Sequence, residues 1–380
     1  MLEKAINEYL LWMISKGYAQ RTWDRTENVL RHFSLFVRSR KIAWKAIFTQ
    51  DTLKAFQKET GRTRVSAVRG LARYLFEQKR ISAPIQKKIE KLPRIYEEYL
   101  YCARSRQISQ PLILCARRVL TAFYHYLQGR KISLPHIRIE QIDAFWEKFN
   151  IPFAQPTWRQ HRWALRGFLR YLYQKGIIKK DLALLLVGPP MFSQAKPPRF
   201  LRAHEVQRLF NSLDTSSAKG LRRYALCHCA YTLGLRPCEI SLIHLDDISF
   251  HQRELVLRAR KCANPIKLPL PEETIKAIAA YVVGARPKES ERSLFLRIRA
   301  PHTPMSAAMV SHEITHALRG AKLPGSAYWL RHTYAQNLLE NGASIFEIKQ
   351  MLGHESIQTT KRYIHIHIQL MREVILDETL

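Results

Sequence analysis

One internal repeat constrains this chain more than any other feature. Val29–Ile42 matches Val119–Ile132 at an offset of 90, and Val68–Phe76 matches Leu165–Tyr173 at an offset of 97. Both blocks are helical by period: Val29, Phe33, Phe36 and Val37 fall at i, i+4, i+7 and i+8. A repeat of this length means two copies of a small domain rather than a solenoid. Each copy is expected to be a four- to five-helix bundle of roughly 85 residues. No strand-like alternation interrupts either copy.

The rest of the chain reads differently. Helices are expected over 203–213 and 219–233, with Gly234 ending one and Pro237 opening the next. Three short alternating runs follow, Asp247–Phe250, Glu254–Ala259 and Ile266–Pro269, with turns at His251-Gln252 and Ala263-Asn264-Pro265. Further helices are expected over 272–284, 306–320, 326–340 and 345–351. Ser344 and Glu347 make a capping box for the last of these, Gly353 stops it, and Ser356 opens another. The expected fold is mainly α: two N-terminal helical bundles of SAM-like type at 1–85 and 93–187, a Pro-rich linker at 188–199, and an α+β domain with a small antiparallel sheet at 200–380.

Charge says what such a chain meets. There are 62 Lys and Arg against 31 Asp and Glu, a formal +31 in 380 residues. Residues 1–200 hold 38 basic and 14 acidic side chains (+24), and 201–380 hold 24 and 17 (+7). A polyanion is the natural partner, and nucleic acid is the commonest one. Basic side chains recur on the polar faces of both copies: Arg62, Arg64, Arg69 and Arg73 in the first, and Arg159, Arg162, Arg166 and Arg170 in the second. Arg69/Arg73 and Arg166/Arg170 are i, i+4 pairs at equivalent places, spaced to grip phosphates. A ribosome-adjacent or merely soluble basic surface is the alternative.

Several classes drop out. No apolar run is long enough to span a membrane, and Glu3 and Glu8 make the N-terminus an amphipathic helix rather than a signal peptide. The six cysteines show no metal-ligand spacing and read as reduced thiols of a cytoplasmic protein. No phosphate-binding loop or dinucleotide fingerprint is present, so no cofactor is expected. His365-Ile366-His367 reads as a surface feature, and no metal is expected.

Five polar residues of the C-terminal half stand at turns or inside apolar faces: Arg236, Lys261, Arg331, His354 and Tyr363. Two fixed guanidiniums can hold both non-bridging oxygens of a phosphodiester. A phenol can attack that phosphorus and hold it as an ester. A lysine on a hairpin can protonate the leaving oxygen, and a histidine can hydrogen-bond the developing charge.

Spacing alone does not establish that set; a resemblance does. Leu330-Arg331-His332-Thr333-Tyr334-Ala335, then Leu352-Gly353-His354, then Thr359-Thr360-Lys361-Arg362-Tyr363 resembles the signature of the tyrosine recombinase (phage integrase) family. The separations match, with 23 residues from Arg331 to His354 and 9 from His354 to Tyr363. Leu233–Ile240 resembles the family's first arginine box, and Arg260-Lys261 through Leu270 its β-hairpin lysine segment. Arg258, Arg260 and Lys267 flank Lys261 closely. The resemblance covers 200–380 in detail. For the basic half it is architectural, because family members carry one helical core-binding domain where two are expected here.

The resemblance implies roles. Tyr363 is the nucleophile that forms a 3′-phosphotyrosine. Arg236 and Arg331 clamp the scissile phosphate, Lys261 is general acid toward the 5′-oxygen, and His354 bonds to the phosphate. Glu239 supports Arg236, and His332 orients its neighbours or is structural. The family commonly has a histidine three residues before the second arginine, where this chain has Tyr328. A phenol can donate to phosphate but accepts a proton poorly, given its usual pKa near 10. Either Tyr328 acts there, or it packs under the helix while water or Lys261 handles the proton. The implied function is site-specific recombination of double-stranded DNA by the integrase or transposase of a mobile element, acting in the cytoplasm on the nucleoid, as a homo-tetramer on paired sites. A type IB topoisomerase-like enzyme or a catalytically inert DNA-binding protein are the alternatives. The tail 369–380 either docks on a neighbouring protomer or folds back.

Overall fold

In a computed structural model of the 380-residue chain, the residues described are 1–61, 65–83, 85, 90–106, 108–186, 199–258, 266–353, 356, 357, 359, 360 and 363. The expected linker therefore lies outside them except for Arg199, as does most of the tail.

Among the described residues of 1–85 there are five helices: α1 (Leu2–Ser15), α2 (Gln20–Ser39), α3 (Trp44–Ile47), α4 (Gln50–Thr60) and α5 (Val65–Glu77). They enclose one apolar cluster, centred on Leu30, Phe33, Phe56 and Leu71. Four α-helices follow: α6 (Arg94–Ser105), α7 (Gln110–Gly129), α8 (Ile139–Asn150) and α9 (Gln155–Gln174). They enclose a second cluster, centred on Leu120, Phe123, Phe145 and Phe168.

The two clusters are built alike. The ring centroids of Phe33 and Phe56 lie 5.0 Å apart, as do those of Phe123 and Phe145. The Arg40 guanidinium covers the Phe36 ring at 4.8 Å, and Arg130 covers Tyr126 at 4.7 Å. Lys41 and Lys131, offset by 90, both hold a positive φ after a long helix. In each bundle a tyrosine of the first helix rests on a glycine of the last. A Cβ at Gly70 would meet the Tyr9 hydroxyl at 2.5 Å, and one at Gly167 would meet the Tyr99 hydroxyl at 2.3 Å. These two glycines are small because the helices need the room.

The C-terminal half holds a third cluster. Helices α10 (Ala203–Asn211), α11 (Ala218–Thr232) and α12 (Pro237–Ser241) lead into strands β1 (Ile248–Ser249), β2 (Glu254–Leu257) and β3 (Ile266–Pro269). The sheet is antiparallel in the order β1-β2-β3, with Leu255 opposite Ile248 on one side and Leu268 on the other. Helices α13 (Glu272–Gly284), α14 (Ala307–Gly320), α15 (Ala327–Glu340) and α16 (Ile345–Leu352) follow. α11 packs against α13, α14 and α15 and forms the centre of this half.

The elements fall close to the sequence expectation, with one clear difference. β1 is two residues long, not four, because Asp247 belongs to a 3-10 turn at Leu245–Asp247. Its carboxylate accepts from the His244 backbone N–H at 2.9 Å and pairs with Arg258 at 2.8 Å. A buried carboxylate satisfied in this way has no reason to extend into a strand. The Ser344–Glu347 capping box closes α16 as its spacing implies, and Gly353 ends it in the left-handed region at φ 62°.

By their contacts the residues form two compact units, 86–192 and 1–85 together with 193–380. The first bundle thus has its own core yet groups with the C-terminal half. Among the described residues no helix is long and apolar enough to cross a membrane. Cys227 and Cys229 are fully buried, and burial pushes both thiols up to about 12.

Candidate active site

The site is assembled around two arginines and one carboxylate. α11 ends at Thr232 with Leu233 as its cap, and Gly234 turns the chain at φ 60°. A Cβ at Gly234 would lie 2.3 Å from the Tyr334 ring, so the turn is glycine for two reasons, conformation and space. The turn delivers Arg236 to the start of α12, where Pro237 suits the first helical position.

Glu239 reaches back from the same short helix. Its carboxylate accepts from the Arg236 backbone N–H at 2.8 Å and from the Arg236 guanidinium at 2.8 Å. The carboxylate also lies 3.6 Å from the Arg331 guanidinium. Glu239 and Arg331 are both 3% exposed, so this pairing stands in a low dielectric, where leaving either charge alone is costly.

Arg331 enters from the buried face of α15, flanked by Leu330, Ala327 and Ala335. Its guanidinium donates to the Gly234 carbonyl and to the Leu352 carbonyl. Arg236 donates to the Leu352 and Gly353 carbonyls, each at 3.4 Å. Both arginines therefore converge on the C-terminal end of α16, where the last carbonyls of the helix and its dipole favour positive charge. Main chain, carboxylate and helix end hold the two guanidiniums in one place.

Tyr363 lies in a small apolar cluster with Ala335, Ile348 and Leu352 and is 3% exposed. Its hydroxyl is 2.7 Å from His332 Nδ1, on α15 next to Arg331. A neutral Nδ1 can accept the phenolic proton at this distance.

The expected residues sort as follows. Arg236, Glu239, Arg331, His332 and Tyr363 are brought together. His354 and Lys261 lie outside the described residues. Two of the basic neighbours of Lys261 are engaged in ion pairs, Arg258 with Asp247 and Lys267 with Glu254 at 3.5 Å. Tyr328 sits on the first turn of α15 and is 49% exposed, so it does not pack beneath the helix. Sequence reasoning gives Glu239 to Arg236 alone, and it misses the carbonyls of Gly234, Leu352 and Gly353. Main-chain acceptors leave no residue signature. The pairing of His332 with Tyr363 is equally invisible in the sequence, because 31 residues separate them and only tertiary packing joins them.

On the helical bundles, Arg62 and Arg64 lie outside the described residues. Arg69 and Arg73 are exposed on α5. Arg159, Arg162, Arg166 and Arg170 line a groove of about 380 Å³ on α9, with Trp163 and Gly167 between them. Among the described residues none of these six makes an ion pair, and no group of His, Cys, Asp and Glu could hold a metal.

Two guanidiniums held at the Leu352 carbonyl, and a buried phenol in the cluster that includes Leu352, are an arrangement that can carry phosphoryl transfer. Comparison with known proteins agrees with that class. The phage integrase family matches residues 199–369. A putative integrase/recombinase, y4rA of Sinorhizobium fredii, is 28% identical over 378 residues, covering 96% of this chain and 91% of the relative. A second one from the same organism, y4rF, is 30% identical over 289 residues, covering 74% of this chain and 68% of the relative. The crystal structure of XerH site-specific recombinase, bound to palindromic difH substrate in a post-cleavage complex, covers 80% of this chain and 92% of its own. It has a TM-score of 0.61 at 17% identity and so shares the fold. The chain belongs to the phage integrase family and is a site-specific recombinase.

Proposed function

We propose that this recombinase cuts and rejoins duplex DNA through a covalent 3′-phosphotyrosine at Tyr363, as the integrase or transposase of a mobile element. The observation that carries the reading is the convergence of Arg236 and Arg331 on Glu239 and the Leu352 carbonyl, with Tyr363 beside the same helix end. The scissile phosphate takes its place against the two guanidiniums. Tyr363 Oη attacks phosphorus, the Oη–P bond forms and the P–O5′ bond breaks. His332 Nδ1 receives the phenolic proton, and Lys261 supplies one to the 5′-oxygen. His354 hydrogen-bonds the phosphate. The ester keeps the bond energy, so a 5′-hydroxyl reverses the step without ATP. Tyr328 stands one helical turn from Arg331, exposed, and is positioned to donate to a DNA phosphate rather than to accept a proton.

Residues 1–85 and 93–187 are read as two copies of one DNA-binding bundle ahead of a catalytic domain at 200–380. The matched Phe pairs, Arg-over-ring stacking and Tyr-on-Gly packing support that reading. The Arg159–Arg170 groove and the Arg69/Arg73 face carry DNA backbone, joined by Arg62 and Arg64. Four protomers act on two duplexes, in the cytoplasm on the nucleoid, and no cofactor is needed.

The test is a nicked suicide duplex drawn from the gene's flanks, incubated with the full chain and run in SDS. An adduct that vanishes in Tyr363→Phe supports the reading. Absence of any adduct, with flank DNA and with a random-sequence library alike, sinks it. His332→Gln should slow adduct formation while leaving DNA binding intact.

A further inference from the structure

The two N-terminal bundles part company at one aromatic group. At the offset of 90, α1 aligns with α6 and Tyr9 with Tyr99. At the offset of 97, Gly70 aligns with Gly167 and Tyr74 with Tyr171. The tyrosine pairs agree, with ring centroids 5.4 Å apart for Tyr9 and Tyr74 and 5.6 Å apart for Tyr99 and Tyr171. In the first bundle Trp12 completes the group. Its ring lies 5.7 Å from Tyr9, 5.4 Å from Tyr74 and 6.1 Å from Tyr18.

In the second bundle that filling is missing. Cys102 stands at the position of Trp12, Ala103 at that of Met13 and Ile108 at that of Tyr18. All three line a cavity of about 220 Å³, walled by Tyr99 and Tyr171. The exchange is more than a loss of bulk, because Trp163 takes the position of Ser66 and adds an aromatic wall. An empty apolar void costs stability, whereas aromatic walls give a flat ring surfaces to stack on.

The charge changes with the shape. In the first bundle burial pushes the Tyr9 hydroxyl up to about 12, and the nearby Glu77 carboxylate adds to the rise. The counterpart of Glu77 is Gln174, a neutral residue that lines the cavity. Arg106 and Arg170 line it as well, and among the described residues no Asp or Glu does. Neither arginine makes an ion pair among the described residues. Glu98, one turn before Cys102, is not a lining residue and pairs with Arg94 at 2.7 Å. Burial pushes the Tyr99 hydroxyl up to about 12, and the Arg106 charge acts against that rise, which places the guanidinium near the aromatic wall.

We propose that this cavity is a binding site for a small planar aromatic acid, about the size of an indole. Its ring takes the place that Trp12 takes in the first bundle, and its carboxylate meets Arg106 and Arg170. A cavity of about 150 Å³ holds a benzene, so about 220 Å³ takes a fused ring. Apolar walls with a few convergent polar groups are the usual make-up of a small-molecule site, and a guanidinium matches a carboxylate in geometry as well as charge. The site stands apart from the strand-transfer chemistry and does not depend on it.

The experiment is a calorimetric titration of the full chain, free of nucleic acid, with indole-3-carboxylate. A single site with a sub-millimolar dissociation constant is expected, and indole itself should bind about tenfold more weakly. Cys102→Trp restores the residue of the first bundle and should abolish binding of both probes. Ile108→Tyr fills the cavity from the other side and should do the same, so the test does not hang on one variant; circular dichroism and melting confirm that each is folded. Arg106→Gln should remove the preference for the acid and leave the binding of indole unchanged. Undiminished binding in both folded filling variants overturns the proposal, as does the absence of any binding to the unaltered chain. Binding of N-acetyltryptophanamide, which carries the ring without the acid, as tightly as indole-3-carboxylate overturns it too, and makes the occupant an aromatic side chain of a protein partner.

Discussion

The arginines of this protein fall into two groups with opposite surroundings. Arg236 and Arg331 are buried or nearly so, and each is tied to carbonyls and to Glu239. Arg69, Arg73, Arg159 and Arg170 are exposed on helix faces with no ion pair among the described residues. In the proposed function the first kind recognises one phosphate at one position, because its geometry is set before the ligand arrives. The second kind there recognises charge, wherever along a backbone it falls. A single residue type thus does two jobs, and the surrounding packing decides which.

The largest expected effect breaks the comparison at its buried end. Arg331→Ala removes one of the two proposed phosphate clamps and one of the positive charges that face Glu239 in the interior. Adduct formation should fall by about 1000-fold or more, and the domain should lose about 3 to 5 kcal/mol of stability by denaturant unfolding. Arg331→Lys should recover little, since an ammonium cannot replace the fork that reaches Gly234 and Leu352. Loss of neither activity nor stability would show that the buried arginine is an ordinary one.

A smaller effect compares the two bundles themselves. Gly70→Ala and Gly167→Ala each push a methyl against a tyrosine hydroxyl, and each should cost about 1 to 3 kcal/mol. Tyr9→Phe and Tyr99→Phe should restore most of the loss in the matching double variant. Similar costs in both bundles are expected of two copies of one design; a cost in one alone would divide them.

His228 gives a pH effect of similar size in the C-terminal half. Burial lowers its pKa to about 4, and neither ring nitrogen has a partner among the described residues. The unfolded chain takes up its proton near pH 6.5 and the folded chain only near 4. Stability contributed by the neutral ring is therefore full above about 6.5 and falls as pH drops toward 4, at up to about 1.4 kcal/mol per pH unit. His228→Phe should flatten that slope in urea melts.

Smallest are the exposed arginines. Arg159→Gln or Arg170→Gln should leave melting temperature and the cleavage rate at saturating DNA unchanged, and lower the salt slope by about 0.9 each. A loss of cleavage at saturation would move the residue into the first group.

Much of this is legible in the sequence because it depends on local rules. The helices follow apolar period, the Ser344–Glu347 cap follows from two residues three apart, and the turn at Gly234 needs the residue that is there. What is not legible depends on main-chain atoms and on distance along the chain. The Leu352 carbonyl accepts from arginines 21 and 116 residues away, and no side chain announces it. Asp247 illustrates the opposite failure: alternation suggests a strand, but its carboxylate is already engaged in a turn.

Glu239 has one more consequence. Two guanidiniums and one carboxylate leave the described part of the site with a single net positive charge. A phosphodiester brings one negative charge to it, and in the proposed mechanism Lys261 brings one positive charge more. The shared carboxylate thus moderates the repulsion between the two guanidiniums before any phosphate arrives.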